Sequence, residues 1–220
     1  MATLATLVRG FLRGTTDEKQ AEVSRHGALY TQKDLPDYAD LVRRNLVWRV
    51  AETTGVAALI GSTYPTTACQ LALYNNESEG SGKSYVILGV TASQIAAAAA
   101  LASWHVIFGV SQIKQTTLPT GNLAASVIRP LRGNGGAYSG RALVDLAPTL
   151  DIDPIYQPLP GSMNSSINVV SLAGSGLGIR VDGLIILPPS SLMALAVIAS
   201  DVGITTRLGI IWAEIYLDLP

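Results

Sequence analysis

The chain has 220 residues, a net charge of −1 and only 14% charged residues, against about 25% in ordinary soluble domains. It lacks the basic face that nucleic-acid binding requires, and its single cysteine, Cys69, excludes an internal disulfide framework and a cysteine-based zinc site. Fifteen of the charged residues lie in the first 52 positions, while Lys83 and Lys114 enclose thirty residues without one, a composition that predicts surface hidden against copies of the chain or a neighbour.

From the N-terminus, Leu4, Leu7, Val8, Phe11 and Leu12 fall at i, i+3, i+4, i+7 and i+8, one apolar helical stripe with Arg9 and Arg13 off it. The run Asp17-Glu18-Lys19-Gln20 suits a solvated helix that Gly27 ends. A short helix is predicted to start near Asp34, with Pro36 in its first turn, and to run through Tyr38, Leu41 and Val42. Residues 1–45 therefore read as an N-terminal helical arm and 46–220 as the body.

After residue 46 the period changes. Strands are predicted at Leu46–Val50, Ala68–Tyr74, Tyr85–Thr91, Ala102–Val110, Ser126–Pro130, Ile167–Leu172, Gly183–Leu187, Leu192–Ala199 and Leu208–Leu217. Trp104, Val106, Phe108 and Val110 share one face of their strand. In the last strand Leu208, Ile210 and Trp212 oppose Gly209, Ile211, Ala213 and Ile215. Apolar residues on both faces fit strands covered on both sides. Trp104, Phe108, Ile211 and Trp212 are the expected core or oligomer-interface residues. The run Ala96–Ala100 either opens a helix or lies flat against a neighbour. The fold expected is mainly β, an antiparallel β-sandwich of jelly-roll type.

The apparent motifs weigh toward turns. Gly80-Ser81-Gly82-Lys83-Ser84 lacks the first glycine of a phosphate loop, since position 77 is Glu, and a strand rather than a helix follows; a hairpin loop is expected. Gly174-Ser175-Gly176-Leu177-Gly178 lacks dinucleotide spacing and reads as a flexible turn. Asp151-Ile152-Asp153 matches the first ligands of a calcium loop, but the later ones are missing, so a capped turn is expected. Pro188-Pro189-Ser190-Ser191 reads as a corner between two strands. His26 and His105 are the only histidines, too few for a metal site without a carboxylate cluster.

These strands and turns resemble jelly-roll virion structural proteins of tailed bacteriophages. The resemblance rests on Arg25-His26-Gly27-Ala28-Leu29-Tyr30, Leu71-Ala72-Leu73-Tyr74-Asn75 leading through Gly80-Ser81-Gly82-Lys83 into Tyr85-Val86-Ile87-Leu88, Gly183-Leu184-Ile185-Ile186-Leu187-Pro188-Pro189, and Gly209-Ile210-Ile211-Trp212-Ala213-Glu214. It implies a β-sandwich, often trimeric, attached to a capsid or tail, and supplies no catalytic residues. The functional expectation is a non-enzymatic virion protein, a capsid decoration, cement or head-fibre subunit. It would associate with itself as a trimer and dock onto the major capsid protein or another virion protein through Leu4, Leu7, Val8, Phe11 and Leu12. No cofactor, nucleic acid or membrane is expected. The alternatives are a tail-fibre or carbohydrate-binding module, using Tyr138 near Asn134 and Arg141 or Tyr156 near Asp153, and a hydrolase dependent on His105.

Overall fold

The structure, a computed structural model, describes residues 38–61, 63–96, 102–111, 127–151, 153–159, 165–167, 176–200 and 203–217. The apolar stripe Leu4, Leu7, Val8, Phe11 and Leu12, and with it the predicted arm, lies outside these residues. The body forms a unit of its own from Asp40 onward. The predicted short helix is present as α1, Ala39–Arg43. It ends on Asn45, which takes φ 59° while the N–H groups of Asn45 and Leu46 bond back to Val42 O and Leu41 O. A left-handed residue at this place satisfies the last carbonyls of a helix.

Thirteen strands follow: β1 Val47–Ala51, β2 Val56–Ala57, β3 Leu59–Ile60, β4 Leu71–Asn75, β5 Lys83–Ala96, β6 Ala102–Ser111, β7 Arg129–Pro130, β8 Ala142–Leu146, β9 Gln157–Pro158, β10 Ser165–Ile167, β11 Gly176–Leu187, β12 Leu192–Ala199 and β13 Thr205–Tyr216. They form two sheets packed face to face. The first has the order β11-β5-β13-β1-β7, with β2 also on β13. The second has the order β10-β6-β12-β4-β8, with β3 on β12 and β9 on β6. Four antiparallel pairs nest inside one another: β1 with β13, β4 with β12, β5 with β11, and β6 with β10. Successive nested pairs alternate between the first and the second sheet, which is the winding of a jelly roll.

Two expectations about the connections change. The segment Gly80-Ser81-Gly82 does not close a hairpin within one sheet; it carries the chain from β4 in the second sheet to β5 in the first, with Gly80 and Gly82 at positive φ. Gly176, Leu177 and Gly178, expected in a turn, open β11 and pair with Ser93, Ala92 and Thr91. Strand β8 was not expected at all. The predicted corner at Pro188-Pro189-Ser190-Ser191 joins β11 to β12 across the two sheets. Asn75 ties both corners together: its side-chain amide donates to Lys83 O and Leu187 O, its main chain exchanges bonds with Ser190 and Ser191, and its Oδ1 accepts from Glu77 N–H.

The main core lies between the sheets. Trp48, Leu71, Leu73, Tyr85, Ile87, Trp104, Val106, Phe108, Leu187, Leu195, Ile210 and Trp212 belong to it. Trp104 and Trp212 are fully enclosed, Phe108 is buried, and Ile211 is half-buried on the opposite face of β13. The octet Leu192–Ala199 is buried along its whole length. Met193, Leu195 and Val197 face the main core, and Leu192, Ala194, Ala196 and Ile198 face outward. That outer face is covered by the chain's own segments, which bring Leu59, Cys69, Leu150 and Tyr156 onto it. Pro154 sits against Gly109, where a Cβ would stand 2.8 Å from the proline ring. Some of the charge-free surface is thus hidden within the chain itself. Among the described residues no helix is long and apolar enough to cross a membrane.

Candidate functional site

Three places in the body hold chemistry that packing alone does not require. The first is a buried polar cluster at the end of the sandwich near β5 and β13. The i, i+2 spacing of Trp212 and Glu214 puts both side chains on the inner face of β13. Glu214 is 4% exposed. Its Oε2 lies 2.6 Å from Lys83 Nζ, and its Oε1 accepts from Tyr138 Oη at 2.6 Å and from Trp212 Nε1 at 3.4 Å. Lys83 also meets Glu77 at 3.0 Å, and Tyr138 Oη accepts from Ala142 N–H. Trp48 stands edge-on to Tyr138 with ring centroids 4.9 Å apart.

Burial pulls the Lys83 ammonium toward lower pKa, but the hydrogen bonds and charges of Glu214 and Glu77 outweigh it and raise the group above its ordinary 10.5. Burial, with the nearby Glu214 charge, drives the Tyr85 and Tyr138 hydroxyls well up, so neither serves as a base. Tyr85 Oη has no partner of hydrogen-bond geometry. The cluster faces inward, and its members engage one another.

The second place is a cleft of about 300 Å³ between the edge of the first sheet at β11 and the second sheet at β6 and β9. Phe108, Val110, Gln157, Arg180, Leu184 and Ile186 line it. It forms because β11 slips its register against β5 between Arg180 and Ile185, with Asp182 and Gly183 both at positive φ. A bulge on an edge strand bends the strand and re-aims its side chains. Here Leu184 stands 79% exposed and Ile186 37%. The cleft is an apolar receptor with one guanidinium and one amide at its wall.

The third is Glu52, a buried carboxylate at the end of β1, whose oxygens have no hydrogen-bond partner.

The residues proposed from sequence for sugar binding lie elsewhere than that role needs. Tyr138 is buried and bonded to Glu214, and Tyr156 is buried with its hydroxyl donating to Ala68 O. Neither ring is free to stack on a sugar. His105 points outward from β6 beside Tyr64, with ring centroids 6.2 Å apart, and burial lowers its pKa. Asp153 Oδ1 accepts from Ile155 N–H, so it caps a turn as expected. Among the described residues no group of three or more His, Cys, Asp and Glu is placed to hold a metal ion.

Cys69 is buried against Pro148, and desolvation is the main cause that pushes its thiol up to about 12. The thiolate, not the thiol, is the nucleophile. Native protein at pH 8 is therefore expected to leave Cys69 unlabelled by an aromatic disulfide reagent over hours, whereas denatured protein labels within minutes; fast labelling of native protein would contradict the burial.

No family model, curated protein or solved structure matches this chain.

Proposed function

We propose that this chain is a non-enzymatic virion structural protein, a capsid decoration, cement or head-fibre subunit of a tailed phage, that associates with itself as a trimer through apolar surface and attaches to the shell by residues 1–45. The observation that supports this reading best is the pairing of a jelly-roll body with an exposed apolar cleft. Leu184 and Ile186 stand at the mouth of that cleft, and among the described residues its wall offers no nucleophile, acid or base. The strongest polar groups of the body, Lys83, Glu77 and Glu214, are bonded to one another away from it. Burying apolar surface contributes roughly 25 cal/mol per Å² before the costs of association. A contact built on the cleft and the faces around it draws on this effect.

The test is the solution mass of the full chain, beside a variant lacking residues 1–37 and the full-length variant Leu184→Glu. A discrete trimer is expected for the first two. In the third, a charge set into an apolar contact is expected to weaken association by about tenfold or more. A monomer in all three would end this reading. A trimer indifferent to Leu184→Glu would move the interface away from the cleft.

A further inference from the structure

At Glu52 the strand that runs along β13 breaks. Ala51 pairs with Gly209, and pairing resumes with Val56 opposite Thr206. Four residues, Glu52 to Gly55, therefore stand opposite two, Arg207 and Leu208. Glu52 N–H still donates to Leu208 O at 2.9 Å. Gly55 closes the bulge at φ +77°, packed so tightly that a Cβ would meet the Ile95 side chain. Alternation along β1 carries Trp48, Val50 and Glu52 to the inner face, so the carboxylate enters the sandwich where the bulge begins. Glu52 is 3% exposed, and neither oxygen has a hydrogen-bond partner. Thr206 Oγ1 at this end is likewise buried without a partner. Gln94 is fully engaged, accepting from Trp104 Nε1 and donating to Ala96 O.

Beyond the bulge the chain crosses between the sheets, with β2 on β13 and β3 on β12. Gln70 fastens the far side, since its Nε2 donates to Ala57 O at 2.6 Å and its Oε1 accepts from Val197 N–H at 2.8 Å. The near side is held by the backbone pairing of Val56 and Ala57 with Thr206 and Thr205, directly after the buried Glu52. Of the elements at this end, β13 brings the exposed Arg207, β5 the neutral Gln94, β6 the neutral Trp104, and β2 only Val56 and Ala57. Arg49 of β1 is exposed on the opposite face. Burial is the largest effect and raises the carboxyl to about 7, against the pull of the Leu208 backbone and then of the Arg207 charge toward the anion. An ionised carboxylate without partners is far costlier to bury than the neutral acid.

We propose that Glu52 is a proton-operated latch: protonated, it stays in the interior and leaves the bulge and β2 paired on β13, and ionised, it leaves the interior and takes Glu52–Ala57 off β13, opening this end of the sandwich above the Trp104–Gln94 contact. A carboxyl that titrates higher when closed than its ordinary 4.5 binds more protons closed than open. Closure is therefore fully favoured below about pH 4.5, weakens as pH rises toward 7, and levels off above it.

Hydrogen exchange on the full-length chain, corrected for the intrinsic pH dependence of exchange, reads this directly. From pH 5.5 to 8 the amides of Glu52 and Ala58 are expected to open about 30-fold more often. Glu52→Gln, or Glu52→Leu if the amide is not tolerated, is expected to stay closed at both pH values. Unchanged protection in the wild-type chain would overturn the proposal, and so would a pH dependence that the neutral variants retain. The wild-type profile stands as a test even if neither variant folds.

Discussion

Replacing Glu214 by alanine is expected to lower the free energy of unfolding by about 3–5 kcal/mol, the range found when one partner is taken from a buried ion pair. Three donors lose their acceptor at once: Lys83 Nζ, Tyr138 Oη and Trp212 Nε1. Lys83 keeps Glu77 at 3.0 Å, with side-chain exposures of 20% and 12% for the two partners, so it is not stranded. The aromatic donors are enclosed and have no water to turn to. Glu214→Gln keeps the shape and one acceptor, and is expected to lose about half as much. Equilibrium denaturation of the three proteins separates these cases. A loss below about 1 kcal/mol for the alanine variant would mean that the cluster is solvated in a way its burial denies. Because the Lys83 ammonium is raised in the fold, its share of stability is present below pH 10.5 and is lost only as pH climbs through the higher folded-state value.

Trp104→Ala is the second large effect, expected at about 3–5 kcal/mol. The side chain is fully enclosed on the inner face of β6. Its removal empties a large volume among strands that pair on both sides, with β12 through Ala199 and with β10 through Ser165, so the walls have little freedom to close in. It also strips Gln94 Oε1 of its donor at 3.1 Å. Trp104→Phe retains most of the apolar contact and isolates that loss, expected at about 1–2 kcal/mol. Denaturation midpoints for the pair check both figures. Equal losses for the two variants would show that the hydrogen bond, and not the volume, governs the site.

How far the sequence disclosed all this depends on distance along the chain. The octet Leu192–Ala199 was legible to the residue, since an uninterrupted apolar run lay between a Pro-Pro-Ser-Ser corner and Ser200. The inward faces of β6 and β13 were legible from alternation. Strand β8 was not: Ala142–Leu146 is short, carries Asp145, and exists because β4 offers it an edge. Gly176–Gly178 looked like a loop because glycine and serine signal turns, yet pairing on β5 asks only for backbone groups. The buried cluster was hidden for a stronger reason. Tyr138 and Glu214 are 76 positions apart, and no local pattern marks a tyrosine as the partner of a distant carboxylate. Glu52 was hidden too, because the strand read from the sequence stopped at Val50, two residues before the carboxylate that continues its inward face.

The nested winding also bears on how the chain acquires its structure. β1 pairs with β13, so Val47 waits for Ala213, and every other nested pair lies within that span. A nascent chain emerging from the ribosome completes its inner strand pairs first and its first strand last. Until Thr205–Tyr216 has been made, β5 and β1 both lack the neighbour that stands between them. Topologies dominated by such remote pairings fold slowly and expose unpaired edges on the way. Synthesis and folding of this body are therefore strongly out of step, and its earliest segment depends longest on protection from other chains.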